Sequence, residues 1–250
     1  MSNKCLVVGY GRLGQTLSEI MRKQCAVAIL EKDPTKQKLA KSNGFELAAL
    51  EEIGQFQTII VCVPINQFEP VIKEISGKLA PGSLLIDTCS VKVYPVKIMM
   101  DTVPKAVQIM ATHPLFGPDS VKLGLKGLGM AVCPVRVEQD NLNDWHHFWR
   151  GLGVRVLEIT PEEHDRAAAY TLGLTHFVGR VLGELNLKRE EIATTGFNAL
   201  LEVIEQTSND TWRLFHDMQH YNPYTKEMRD KLATALADVQ KKLDAAIDTE

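Results

Sequence analysis

The sequence has little of what several common function classes require. Its 250 residues hold five cysteines, Cys5, Cys25, Cys62, Cys89 and Cys133, an odd number with no CxxC spacing. That pattern excludes a disulfide framework and gives no zinc site, so no metal is expected. Most of the five lie in apolar strand-like runs, where cysteine acts as a small buried hydrophobe, and a reducing, cytoplasmic setting is expected. There is no basic excess: the formal net charge is −3 and the pI near 6.2, which leaves no field for nucleic acid. No apolar run approaches the ~20 residues of a membrane helix. The N-terminus enters a strand at once, without a signal-peptide pattern. What remains is an ordinary globular composition, 45% hydrophobic and 24% charged, long enough for one large domain or two modest ones.

The chain is organised around residues 112–119, THPLFGPD, which follow an apolar run at 107–111. A strand that meets His-Pro, with Gly-Pro close behind, is expected to end there, because proline lacks an N–H and glycine loosens the backbone. His113 would then stand at a strand end, on the edge where open α/β sheets bind ligands. Histidine is also the side chain suited to accept a proton near neutral pH.

The N-terminal part supplies a cofactor pattern. An apolar strand at 4–8 leads into Gly9-Tyr10-Gly11-Arg12-Leu13-Gly14 and then a helical spacing, Leu17, Ile20 and Met21. In that order the first glycine makes the turn, the second admits a pyrophosphate to the backbone, and the third packs helix on strand. The helix start offers free N–H groups and a positive dipole end, so Gly9, Gly11, Arg12, Leu13 and Gly14 are expected to face a dinucleotide. A second strand at 26–30 ends in Glu31-Lys32-Asp33-Pro34. Glu31 is placed to accept from both ribose hydroxyls, favouring NAD, whereas Lys32 is placed to meet the 2′-phosphate of NADP; a solvated charged turn is the plainer alternative.

Further strand-like runs at 46–48, 58–63, 83–87, 107–111, 130–133 and 154–159 alternate with helical patterns, which gives an α/β, doubly wound parallel sheet over residues 1–159. Val63-Pro64 closes one strand where a cofactor ring can lie against it. Another ends in DTCSVK, so Ser90 is expected on the same sheet edge as His113, orienting imidazole and substrate hydroxyl. Alternatively Ser90 caps a short helix. After Ile159 the strand signals stop. Thr160-Pro161-Glu162-Glu163 is a capped helix start, and one helix is expected to about Leu187, with Leu172, His176 and Arg180 on one face. His176 and Arg180 together form either a two-point anion site or a core histidine beside a solvated arginine. Helices at 190–206, 210–221 and 225–246 complete an all-helical region, 160–250. The last carries Leu232, Leu236, Val239, Leu243 and Ala246 at alternating steps of four and three, a seam for a partner helix in the same or a second subunit.

With GYGRLG, VCVP, DTCSVK, THPLFGPDS, EEHDRAAAY and LTHFVGR in this order, the sequence resembles the prephenate/arogenate dehydrogenase family of tyrosine biosynthesis, closer to its plant-type branch. The resemblance implies a Rossmann domain, a helical dimerisation domain and an active site in the cleft between them. It implies oxidative decarboxylation of prephenate or arogenate with NAD or NADP. In that reading His113 hydrogen-bonds the ring hydroxyl and takes its proton, Ser90 orients both, and His176 helps hold the substrate. Asp119 stands near the mouth, where the family often has Glu. The family's carboxylate-binding arginine has no counterpart in Thr194-Thr195-Gly196-Phe197-Asn198, which leaves Arg180 or Arg213 for that role. Asp165 and Asp119 are the acids available to meet the ammonium of arogenate. Activity is expected to rise with pH through a group near ~6.5. The length leaves no room for a fused regulatory domain, so any inhibition by tyrosine is expected at the active site. Two rivals stand beside this reading. A β-hydroxyacid dehydrogenase would use a lysine on the long helix, where this chain has His176 and Arg180. A silent NAD(P)-binding sensor would not need Ser90, His113 and His176 together.

Overall fold

A computed structural model describes residues 4–247. The chain divides into two compact units, one ending at His164 and the other starting at Asp165. In the first, β1 (Lys4–Val8), α1 (Arg12–Met21), β2 (Ala26–Leu30), α2 (Pro34–Ser42), β3 (Glu46–Leu47) and β4 (Thr58–Val61) follow one another. Then come α3 (Ile65–Ile75), β5 (Leu84–Asp87), α4 (Val93–Thr102), β6 (Gln108–Pro114), α5 (Pro118–Val121), β7 (Gly129–Arg136), α6 (Gln139–Gly151) and β8 (Arg155–Glu158). The eight strands form one sheet in the order β3-β2-β1-β4-β5-β6-β7-β8. The first six are parallel in the doubly wound, Rossmann-type order. Central strands β5 and β6 are buried at every position, which is why they read as unbroken apolar runs rather than alternating ones. Trp145 and Trp149 of α6 meet edge-on, with centroids 5.7 Å apart, in one cluster with Leu17, Ile20 and Met21 of α1.

Three expectations for this sheet are corrected. It is not wholly parallel: β7 runs antiparallel to β6, and β8 parallels β7. The connection from β6 to β7 carries only the four-residue α5, too little helix to cross a sheet face and re-enter parallel. Nor does β6 stop before His113. It continues to Pro114, with His113 opposite Ala131 of β7. The backbone N–H of Leu115 donates to Gly129 O on β7 (2.9 Å), so by alternation the nitrogen of Pro114 faces the other side. There the β5 ladder has already ended at Asp87 opposite Ala111, and the missing proline N–H removes no bond. Strand β4 ends at Val61 rather than Val63, which leaves Val63 and Pro64 outside the sheet.

Helix α7 (Pro161–Ala168) opens as expected. The Thr160 hydroxyl accepts from the Glu163 N–H (3.2 Å), and the Glu163 carboxylate accepts from the Thr160 N–H (3.1 Å). The helix expected to about Leu187 runs without a break to Gly183, four residues short, and is not uniform. A π-helical segment at Ala169–Gly173 precedes α8 (Leu174–Gly183), and the chain leaves the helix at Asn186, in left-handed backbone at φ 52°. The Gly173 carbonyl accepts from Gln219 Nε2 (2.8 Å), satisfying backbone in the widened turn. Helix α9 (Thr195–Ser208) starts five residues later than expected, because Thr194 caps it by accepting from the Phe197 N–H. Helix α10 (Trp212–Tyr221) is capped by Thr211, and α11 (Thr225–Ile247) completes the unit. Among the described residues the second unit holds no strand, and no helix is long and apolar enough to cross a membrane. On α11 Leu232 is half-buried, whereas Leu236 (62% exposed), Val239 (57%) and Leu243 (58%) are more than half exposed. The side chain of Ala246 lies outside the described residues.

Helices α8 and α9 approach through Gly179. A Cβ there would fall 2.3 Å from Thr207 Oγ1, inside any real contact, while Thr207 is fully buried and its hydroxyl donates to Val203 O. Gly179→Ala should therefore lower unfolding stability by about 1–3 kcal/mol, read as a lowered urea midpoint. An unchanged midpoint would show that the two helices can part without loss.

Candidate active site

The glycine loop lies between β1 and α1, and its three glycines have different reasons to be there. Gly9 takes a left-handed φ of 96°, and a Cβ on it would meet Cys62 O at 2.5 Å. A Cβ on Gly14 would meet Gly9 O at 2.2 Å. A Cβ on Gly11 would meet nothing within 4 Å, so the chain's own packing does not require glycine there. Gly11 starts α1, and no side chain caps that helix. An open cradle at an uncapped ten-residue helix start, beside Arg12 and Leu13, fits a phosphate-bearing cofactor. Val63 is half-buried and Pro64 exposed, and the Val63 side chain borders Gly9.

Glu31 follows β2 directly. Its carboxylate accepts from the backbone N–H groups of Tyr10 (2.7 Å), Lys32 (2.8 Å) and Asp33 (3.0 Å). It thereby fixes the shape of the glycine loop and remains at its rim. Asp33 is committed elsewhere, as the cap of α2, accepting from Thr35 N–H. Lys32 pairs with Glu74 at 2.6 Å across an exposed surface. Arg12 and Asp119, expected to face the cofactor and the substrate respectively, pair with each other at 2.7 Å, and Asp119 also meets Lys122 at 2.8 Å. Both partners are more than half exposed, so the link is weak and easily opened.

The second part of the site lies where β5 and β6 end. Lys92 and Asp87 form an ion pair with both side chains fully buried, and Lys92 Nζ also donates to Thr112 O (2.5 Å). Thr112 Oγ1 donates to Asp87 O (2.7 Å). Burial pushes the Asp87 carboxyl above the usual carboxylate range, and the Lys92 ammonium opposes that. Ser90 does not cap a helix: α4 starts at Val93, with no side-chain cap. Its hydroxyl oxygen is buried without a hydrogen-bond partner. A buried hydroxyl left unpaired by its own chain calls for a ligand or water. The expected Ser90–His113 hydrogen bond is absent among the described residues. Instead His113 Nδ1 lies 2.9 Å from Nε2 of His164. The expected titration near the free-histidine value is also corrected: burial, His164 and Lys92 hold His113 well below its ordinary value.

In the helical unit His176 and Arg180 do share a face, but it meets Asp210. His176 Nε2 is 3.7 Å from the Asp210 carboxylate, and Arg180 donates to the Asp210 carbonyl. The Arg180 guanidinium lies over the Trp212 ring at 4.7 Å. Thus the face they share is occupied by Asp210, its carboxylate at His176 and its backbone carbonyl at Arg180. His176 Nδ1 is buried with no partner, and burial lowers its pKa. Arg213 is exposed on α10, with no ion pair or hydrogen bond among the described residues. Asp165 is fully buried, against the expectation that it is available to a substrate ammonium. Sequence reasoning gave no role to Asp87, Lys92 or His164, although each lies in a motif it singled out; an acid five residues before a lysine across a strand end was the available signal. Among the described residues no group of three or more His, Cys, Asp or Glu is placed to hold a metal ion.

A sequence profile described as the nucleotide-binding domain of prephenate dehydrogenase matches residues 17–158, more than half of the chain, and one for a TYRAAT1-like C-terminal domain matches 181–250. Chloroplastic arogenate dehydrogenase 1 of Arabidopsis thaliana is 32% identical over 95% of this chain and 38% of its own length. Arogenate dehydrogenase 2 of the same plant is 29% identical over 96% of this chain and 70% of its own length. A probable arogenate/prephenate dehydrogenase of Methanocaldococcus jannaschii is 31% identical over 77% and 45%. The chain therefore spans well under two thirds of the first and third of these relatives. Among solved structures, prephenate dehydrogenase from A. aeolicus in complex with hydroxyphenyl propionate and NAD+ superposes with TM-score 0.80 at 16% identity, covering 100% of this chain and 93% of that one. Synechocystis arogenate dehydrogenase gives 0.69 at 20%, covering 98% and 90%. At those identities the likeness is one of fold.

The different roles of the glycines can be separated. Gly14→Ala should lose about 1–3 kcal/mol of stability because its Cβ strikes backbone, whereas Gly11→Ala should stay within about 0.5 kcal/mol of the parent and lose NAD binding by calorimetry. Equal stability loss in both would remove the case for an open cradle at Gly11.

Proposed function

We propose, from the premise that the chain belongs to the prephenate dehydrogenase family, that it catalyses NAD(P)-dependent oxidative decarboxylation of prephenate, arogenate or both, yielding 4-hydroxyphenylpyruvate or tyrosine. The observation that carries the reading is a buried neutral imidazole, His113, on the same edge of the sheet as the unpaired hydroxyl of Ser90 and the glycine loop. The unit ending at His164 is read as the dinucleotide-binding half and the helical unit as the substrate and dimerisation half.

A bound nicotinamide supplies the hydride acceptor for this chemistry. The chain's part is to hold the substrate and to take a proton. Ser90 Oγ accepts from or donates to the ring hydroxyl and fixes its direction. His113 accepts the hydroxyl proton as the carbonyl forms, and loss of the ring carboxylate as carbon dioxide leaves an aromatic product. Gly11 and the start of α1 receive the pyrophosphate. Glu31 would hold the ribose hydroxyls, which favours NAD over NADP. Arg213 is the arginine left for the side-chain carboxylate, and His176 Nδ1, one of the helical unit's unpaired polar atoms, would meet substrate.

An absorbance rise at 340 nm with NAD and prephenate, run beside arogenate and NADP, tests the reaction. No rise with any of the four combinations would refute it. Within it, His113→Asn should lower kcat by roughly 10²–10⁴. A base works only when unprotonated, and His113 sits well below 6.5, so kcat should be flat above pH 6.5 and fall only on the acid side. The same sign holds for stability. The unfolded chain binds more protons than the folded one below about pH 6.5, so stability is lost as pH falls through that window. A kcat limb centred at or above 6.5 would assign the titration to another group.

We further propose a homodimer formed through α11, whose Leu236, Val239 and Leu243 lie on one exposed stripe. Light scattering should give twice the subunit mass, and Leu236→Glu with Leu243→Glu should halve it. A parent protein already at one subunit mass would end this proposal.

A further inference from the structure

We propose that His164 is the positioning residue of His113: it sets which ring nitrogen of His113 carries the proton, and it receives a proton relayed through that ring. The inference rests on His113 being the base, as read above. His113 Nδ1 and His164 Nε2 are 2.9 Å apart, the ring centroids are 5.1 Å apart, and the ring planes meet at 68°. Both side chains are buried, so water does not compete for the contact.

Two neutral imidazoles can share this hydrogen bond in only two ways. In one, His113 Nδ1–H donates to His164 Nε2, which leaves the Nε2 lone pair of His113 free to accept a proton. In the other, His164 Nε2–H donates to His113 Nδ1, which puts the hydrogen of His113 on Nε2 and leaves it unable to act as a base. The proposed chemistry selects the first. When the substrate proton forms a new N–H bond at Nε2, the Nδ1–H bond of His113 breaks and an N–H bond forms at His164 Nε2. His113 ends neutral, and the positive charge rests on His164; nothing is oxidised or reduced. The charged and titratable groups facing His113 are Lys92, from the connection between β5 and α4, and His164, from α7. The ammonium of Lys92 disfavours a positive charge on His113, which favours passing that charge on.

Two substitutions separate positioning from relay. The amide oxygen in His164→Gln can still accept from His113 Nδ1–H but cannot take the proton, whereas His164→Leu can do neither. His164→Gln should lower kcat about tenfold to a hundredfold with KM within about threefold, and His164→Leu should lower it further and move the acid limb of kcat. Nitrogen-15 NMR of the parent protein without substrate should show His113 protonated at Nδ1 and bare at Nε2, a state His164→Gln keeps and His164→Leu loses. His113 bare at Nδ1, or His164→Leu with parental kcat and acid limb, overturns the inference; equal losses of kcat in both variants with an unchanged NMR tautomer would overturn it as well. If the parent turns over neither prephenate nor arogenate, the reaction assigned above fails, and the NMR tautomer still decides for or against the pairing.

Discussion

The interaction on which the working edge of the sheet depends is the buried ammonium of Lys92. The ladder between β5 and β6 ends at Asp87 opposite Ala111, one residue short of Thr112 and two short of His113. Beyond that point backbone pairing no longer fixes β6 to β5. Lys92 takes over by bonding the Asp87 carboxylate and the Thr112 carbonyl together, and the Thr112 hydroxyl returns to the Asp87 carbonyl. Removing one partner from such a pair leaves a charge buried alone, a loss on the order of 3–5 kcal/mol. The same lysine lies two residues after Ser90, so a single charge fixes both the strand tip that carries the imidazole and the turn that carries the hydroxyl. It also faces His113 and helps keep it neutral.

The opposite half of the edge is held by a carboxylate. Glu31 reaches from the end of β2 to the N–H of Tyr10, inside the glycine loop, and so couples loop shape to the residue proposed to meet the ribose. The two outer glycines are demanded by Cys62 and by each other, and the middle one is left to whatever approaches from outside. The loop is therefore rigid on its protein side and open on its other side, which is the property a pre-formed anion cradle needs.

The parts of this arrangement that were legible in the sequence are those set by local rules. The glycine spacing, the capping box at Thr160 and the strands at 4–8 and 26–30 need only neighbours in sequence, and they stand as read. What failed was decided at a distance. The continuation of β6 through Pro114 depends on β5 having already ended, and no property of residues 112–114 reveals that. The π segment at Ala169–Gly173 depends on Gln219, more than forty residues on, to satisfy a carbonyl. The stripe of His176 and Arg180 is legible, but Asp210, which meets both, lies in the connection between α9 and α10. Most telling is His113, whose partner was sought in Ser90, on the neighbouring strand, and is His164, fifty-one residues away.

That partner changes the kind of base that His113, in the role proposed for it, would be. An acid behind an imidazole stabilises its protonated form and strengthens it as a base, at the risk of leaving it already protonated. Here a second imidazole stands in place of an acid, and burial, with the Lys92 ammonium beside it, keeps the ring unprotonated at neutral pH. A weak base serves only where the proton is lost to a strong driving force, since proton transfer follows the pKa difference in the transition state. The reaction proposed above, oxidation of a ring that becomes aromatic on losing carbon dioxide, would provide such a force, because the hydroxyl grows strongly acidic as its carbon gives up hydride. Weak basicity and a ready supply of the unprotonated form are then compatible, and the buried pair of histidines is a consistent means of having both.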